Sequence, residues 1–225
     1  MEIIKKALSE GRSTLSEHES KELLRVYGIP VTREREVTHR GTLEEAIKEI
    51  GFPMVLKGCG SKLIHKTERN LVHVDIRYKE EAIAAYDQIM NEVEKEGGTV
   101  LVQEMVKGRR ELVAGLTRDN QFGPCVMFGL GGIFTEILKD ISFRVAPLEK
   151  KDALQMIQEI HGRKILGEVR GLPSADLDQL SEILINLGRI GMEEENVQEI
   201  DINPVILVGR KPVAVDALVV LRGAK

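Results

Sequence analysis

The chain has 225 residues, 42% of them apolar and 30% charged, enough to bury a core and too evenly mixed for a disordered tail. Its 32 Lys and Arg against 36 Asp and Glu leave a formal charge of −4, which excludes nucleic-acid binding by bulk charge but not local basic loops that hold phosphates. Two cysteines exclude a disulfide framework or zinc cluster. No apolar run reaches the ~18–20 residues of a membrane span and no apolar leader is visible, so a soluble, cytoplasmic protein with no membrane or nucleic-acid partner is expected.

In chain order, Ser16 with Glu19 forms a capping box that opens a helix carrying Leu23, Leu24 and Tyr27, and Gly28-Ile29-Pro30 stops it. Thr42 with Glu45 is a second box, opening a short helix to about Ile50. Met54–Lys57 reads as a buried strand, followed by a polar, Gly-rich loop from Gly58 to Asn70. Val72, Val74 and Ile76 alternate with polar residues as a half-buried strand does, and Ala82 to Val93 carries a helical stripe. Val100–Val106 is a strand, and Glu111–Thr117 and Pro124–Phe128 form two more around a turn at Asp119-Asn120. Leu154, Ile157 and Ile160 mark a helix; Leu177, Leu180, Leu184 and Leu187 mark another with Ser174 as its cap. Val197–Val208 and Val213–Leu221 close the chain as two strands joined at Gly209 to Pro212. The pattern is α+β in two lobes, 1–98 and 99–225.

Two phosphate motifs are missing. Gly58-Cys59-Gly60-Ser61-Lys62 has the wrong spacing for a Walker loop, and Phe134 stands where a dinucleotide fingerprint needs its third glycine. Lys57 ends an apolar strand, where an ammonium either reaches water or meets an anion. Glu199, Asp201 and Asn203 fall on one face of the late strand, with Ile200 and Ile202 on the other. Asp216 interrupts an otherwise apolar strand and reaches Asn203 if the two strands pair. Such hard oxygen ligands suit Mg²⁺; the alternative is a solvent-facing edge with a structural Asp. Gly129 to Glu136 reads either as a strand-to-helix turn or as backbone close to a reacting phosphoryl group, with Arg144 a candidate to stabilise its charge. His65, in the loop after Lys57, is a candidate nucleophile toward phosphorus.

Seven segments occur in order: LSEHESKELLRVYGIPV (15–31), GFPMVLK (51–57), IHKTE (64–68), VQEMV (102–106), FGLGGIFTEILKD (128–140), FRVAPL (143–148) and EIDINPV (199–205). With these the chain resembles the ATP-grasp β subunit of ADP-forming acyl-CoA synthetases of the acetate–CoA ligase type and, more distantly, the β subunit of succinyl-CoA synthetase, whose chains are longer. The resemblance implies an ATP-grasp fold that grips ATP or ADP between two lobes. It implies that Lys57 and Gly58 hold phosphates, and that Gln103, Glu104, Met105 and Val106 form the hinge beside adenine. Glu111 would contact the nucleotide, and Gly131, Gly132 and Arg144 would face the transferred phosphoryl. Asn203 and Asp216, with Asp201 nearby, would bind Mg²⁺.

The same resemblance implies a separate CoA-binding α subunit, in an α₂β₂ assembly by family expectation, whose histidine carries the phosphoryl group. The net reaction is acyl-CoA + ADP + phosphate ⇌ acid + CoA + ATP. His65 matches the position of a second phosphorylatable histidine, although the chain continues Asn70-Leu71-Val72 where the family has Gly-Gly-Val. A subunit that binds ATP without transferring a phosphoryl group is the competing reading.

Overall fold

The computed structural model describes residues 1–61, 63, 69–132 and 140–222. Two antiparallel sheets share the chain. Strands β1 (Glu34–Val37), β2 (Met54–Cys59), β3 (Val72–Ile76) and β4 (Thr99–Glu104) form the first, in the order β1-β4-β2-β3. Helices α3 (Leu43–Ile50) and α4 (Lys79–Val93) cover it, and Leu43, Ile47, Ala82, Tyr86 and Ile89 meet Met54, Leu56, Val100 and Val102 in one core. Burying such side chains stabilises by roughly 1.5–3 kcal/mol each.

The second sheet runs β10-β8-β5-β6-β7, with β9 also paired to β8. Its strands are β5 (Glu111–Asp119), β6 (Gly123–Leu130), β7 (Ile141–Val145), β8 (Val197–Val208), β9 (Lys211–Ala214) and β10 (Ala217–Leu221). Helices α5 (Lys150–Glu159) and α6 (Leu177–Glu193) pack on one face. Registers Leu116↔Ile200, Ala114↔Ile202, Leu116↔Val126 and Val126↔Arg144 assign these residues to the helix-covered face. Asp201, Gly115, Met127 and Phe143 share the opposite face.

The division between the lobes differs from the expected 98/99 boundary. Strand β4 pairs with both β1 and β2, so 99–104 belongs to the first sheet. Helices α1 (Glu2–Ser9) and α2 (Glu17–Val26) bury Ile4, Ala7, Leu23 and Leu24 in the second core. The N-terminal segment therefore packs with the half of the chain that follows residue 110, because its apolar faces find their complement there.

Local signals account for several element ends. Ser16 and Glu19 make the reciprocal capping box, and Gly28 adopts φ +79° after α2. The second box does not form: Thr42 Oγ1 donates to His39 O, and Glu45 pairs with Arg35. Helix α6 is capped by Asp176, which accepts from Gln179 N, and not by Ser174. The last strand is broken at Val215-Asp216. Pro204 has no N–H to carry the ladder, and only its carbonyl is used, accepting from Val215 N. Pairs Val205↔Ala214 and Ile202↔Ala217 keep one register across the break, so Asn203 falls opposite Asp216.

Candidate nucleotide site

The two sheets meet at Lys57. Its strand is buried throughout, and its ammonium leaves the first sheet to reach groups of the second lobe. Lys57 Nζ donates to Glu17 Oε1 at 2.7 Å and to Val215 O at 3.2 Å, and lies 3.6 Å from Asp216 Oδ2. The sequence left water or an anion as its two destinations; the structure assigns carboxylates. Behind Glu17 stands Lys21, one helical turn on and fully buried. Its ammonium donates to Glu17 Oε1 (2.8 Å), Glu34 Oε2 (2.7 Å), Gln103 Oε1 (2.6 Å) and Thr32 Oγ1 (3.2 Å). Burial alone would lower the Lys21 pKa, but Glu17 and Glu34 together hold it above the ordinary lysine value.

This network was not read from the sequence. Its signal was the Glu17–Lys21 spacing of i,i+4, which ordinarily marks a surface pair. The network also engages Gln103, the first residue of the expected hinge. Gln103 lies inside the sheet between Glu34 and Val55, and its side chain is 1% exposed and committed to Lys21.

Glu104 is likewise engaged, accepting from Arg33 N and Nε, and Met105 N donates to Pro53 O. Beyond them the chain borders a cleft of about 530 Å³ lined by Met105, Val106, Glu111, Leu172, Ile206 and Gly209. The expected hinge segment thus does face a cavity, through Met105 and Val106. Arg110, 3% exposed, supports the floor by donating to the carbonyls of Ile165, Gly167, Pro173 and Gly209.

The glycines expected near phosphate sit in crowded backbone. Gly58 N donates to Leu71 O at 2.8 Å, and a Cβ there would sit 3.2 Å from Val93 Cγ1. Gly131 N donates to Glu111 O, and a Cβ would lie 2.8 Å from Glu111 C. Both positions are glycine because backbone and side chains crowd them, and both N–H groups are already used. Gly132, at φ +63°, lies beside the Glu111 carboxylate, where a Cβ would be 3.0 Å from Oε2.

Arg144 lies apart from the residues gathered at Lys57. It shares the helix-covered face with Val126, and its Nη2 donates to Glu159 on α5 at 2.5 Å. That places it across the sheet from Asp201. His65 lies outside the described residues.

The acidic face is as expected: Glu199 and Asp201 alternate with buried Ile200 and Ile202, and Asn203 faces Asp216 in register. The Asp201 carboxyl is pushed above its usual range by burial, then by Glu199 and Asp216. Among the described residues no three His, Cys, Asp or Glu side chains form a metal cage. The chemistry instead fits Mg²⁺ held by one or two protein oxygens together with phosphate and water. A face that gathers carboxylates has charge to give such an ion. A smaller cavity of about 190 Å³ adjoins Asp216, bounded by Glu17, Gly58, Leu63 and Leu218.

Residues 6–221 match the family model described as ATP-grasp domain. The β subunit of acetate–CoA ligase (ADP-forming) I from Pyrococcus furiosus is 42% identical, over 98% of this chain and 97% of that one. Acetate–CoA ligase (ADP-forming) I of Archaeoglobus fulgidus is 35% identical over 91% of this chain, which corresponds to 30% of that longer protein. Acetyl-coenzyme A synthetase 1 of Candidatus Korarchaeum cryptofilum has been solved with coenzyme A and Mg-AMPPCP, its phosphohistidine segment pointing towards the nucleotide binding site. It superposes with a TM-score of 0.86 at 44% identity, over 98% of this chain and 99% of that one. Two sheets meeting at a buried lysine, an acidic strand face beside it and end-to-end likeness to these relatives agree: the chain belongs to the ATP-grasp family of ADP-forming acetate–CoA ligase β subunits.

Proposed function

We propose that this chain performs the nucleotide half of an ADP-forming acyl-CoA synthetase reaction, with acetyl-CoA the first acyl-CoA to test. A CoA-binding partner subunit would present a phosphohistidine, and ADP bound here would accept its phosphoryl group to give ATP. The observation that carries the reading is the meeting of Lys57 and Asp216, 3.6 Å apart and from different sheets, with Asn203 opposite Asp216 and the 530 Å³ cleft at the hinge. Among the described residues no helix is long and apolar enough to cross a membrane, and the cytoplasm is the compartment we assign.

In this reading Met105 and Val106 border the base, and Glu111 lines the same cleft. Lys57 exchanges a carboxylate for a phosphate oxygen when ADP enters. Asn203 and Asp216 would hold Mg²⁺, with Asp201 behind them; the ion would neutralise charge on the phosphates during transfer. The chain's own work is to position the phosphates and to supply the Lys57 charge in a site that excludes water. His65 is proposed to orient the incoming phosphoryl group.

The test is ATP formation from acetyl-CoA, ADP and phosphate by the chain co-purified with its partner, together with histidine labelling by [γ-³²P]ATP. ATP formation and a labelled histidine are expected. Asp216→Asn is expected to weaken Mg–ADP binding at least ~10-fold while the chain stays folded, the loss of one charged ligand interaction. Nucleotide binding without any label would favour the non-transferring subunit.

A further inference from the structure

Arg110 is buried, and the phosphate chemistry described above makes no use of it. Among the described residues its guanidinium is hydrogen-bonded to backbone carbonyls alone. Nη1 donates to Ile165 O (3.2 Å) and Gly167 O (3.4 Å), and Nη2 donates to Pro173 O (2.8 Å) and Gly209 O (2.7 Å). A cation buried without a carboxylate is costly, and the four carbonyl bonds offset that cost only while they are kept together. A charge placed where a neutral side chain would be cheaper points to a use.

The four carbonyls come from two segments that both border the 530 Å³ cleft: the stretch that carries Leu172, and the turn at Gly209 between β8 and β9. Arg110 is itself a fixed point, because its carbonyl accepts from Leu207 N at 3.1 Å. The segment with Leu172 is stiff at its tip. Val169 and Leu172 exchange N–H···O bonds of 3.2 and 2.9 Å around Arg170-Gly171, both at positive φ as a tight two-residue turn requires. Its start is held as well, since Asp140 accepts from His161 N and Gly162 N at 2.7 Å each. Between that start and that tip, the bonds to Arg110 set where Leu172 stands. We propose that Arg110 is a positioning residue for the nucleoside end of ADP: it ties both segments to one rigid fork and so holds the Leu172 wall at the width the base needs. The proposal rests on the reading that this cleft takes the base, and deepens it by naming what shapes the site.

The experiment is calorimetric titration of the full chain with three probes, ADP, adenosine and tripolyphosphate, each with Mg²⁺ and well below the melting temperature of each variant. Arg110→Lys keeps the charge but cuts the five donors of the fork to three. ADP and adenosine are expected to weaken by the same factor of about five, the net worth of one hydrogen bond, while tripolyphosphate binds as to the natural chain. A role in the fold alone would not separate the three probes. Leu172→Ala keeps every bond of Arg110 and removes the wall itself, so it carries the test if the Arg110 variant unfolds. The same pattern at about the same size is expected of it. In the double variant the two losses are expected not to add, because both act through one contact.

Unchanged adenosine affinity in either single variant overturns the proposal. So does an equal loss for all three probes, since Arg110 would then act on the whole chain and not on the nucleoside end. Val106→Trp, which fills the cleft from the hinge side, separates the proposal from the reading beneath it. Natural ADP affinity in that variant means that the base binds elsewhere, and removes the reading and the proposal together. Lost ADP affinity there, with Arg110→Lys binding all three probes as the natural chain does, removes only the role of Arg110.

Discussion

Arg144 Nη2 meets Glu159 at 2.5 Å on the face of the second sheet that α5 and α6 cover. Arg144→Gln is therefore expected to leave ADP affinity unchanged and to lower stability by no more than about 1 kcal/mol, as for a partly exposed pair. A calorimetric Kd and a urea midpoint check both. His18 gives a pH signature. Its Nδ1 lies 3.0 Å from Glu34 Oε1, and that hydrogen bond is the largest influence raising its pKa above the ordinary histidine value. The folded chain thus binds this proton more tightly than the unfolded one. The stabilisation is fully present below about pH 6.5 and is lost as pH rises through the folded-state pKa. The Tm difference between the natural chain and His18→Gln is expected to be largest near pH 5.5 and to shrink steadily by about pH 9.

Strand β8 is the element that serves both the core and the site. Ile200 and Ile202 are buried against the helices, while Asp201 and Asn203 are turned to the opposite face. That alternation was legible in the sequence because a strand's period is local. The break at Val215-Asp216 was not: a run of apolar residues looks continuous until its partner strand supplies a proline at the facing position. Helix α6 shows the same limit. Its leucine stripe marks the helix, but Gly188 and Gly191 are explained only by what they touch. A Cβ on Gly191 would lie 2.6 Å from Pro124 Cβ and 2.8 Å from Leu116 Cδ1. Gly191→Ala gains about 1 kcal/mol of helix propensity, yet overpacking of about 1–3 kcal/mol is expected to prevail. Net destabilisation of about 1 kcal/mol, read from denaturant midpoints, is the expected result.

At the scale of the whole molecule, the two cores are joined by a polar seam. Lys21 on α2, packed with the second core, is bonded to Glu34 and Gln103 of the first sheet. Lys21→Met would take from the buried carboxylates of Glu17 and Glu34 the cation they share, and a loss of about 3–5 kcal/mol is expected. For a chain of this length that is a fall in Tm of roughly 6–20 °C. A thermal melt of this variant, with and without ADP and Mg²⁺, tests whether the seam is structural. Ligand at ~100 times its Kd should recover about 2.7 kcal/mol if the cleft still forms.

The sequence by itself determined what is local: helix starts with a capping box, strands with alternation, the acidic face of β8 and the ordered motifs that mark an ATP-grasp β subunit. Tertiary structure decided what depends on docking. Lys57 and Glu17 are 40 residues apart, and Lys21 and Gln103 are 82 apart. No periodicity relates such pairs, because their distances are set by how two sheets and an N-terminal helix close on one another. Strand pairing within each sheet, also between residues distant in the chain, committed the Gly58 N–H to Leu71 O and the Gly131 N–H to Glu111 O and set Arg144 beside Val126 on the helix-covered face.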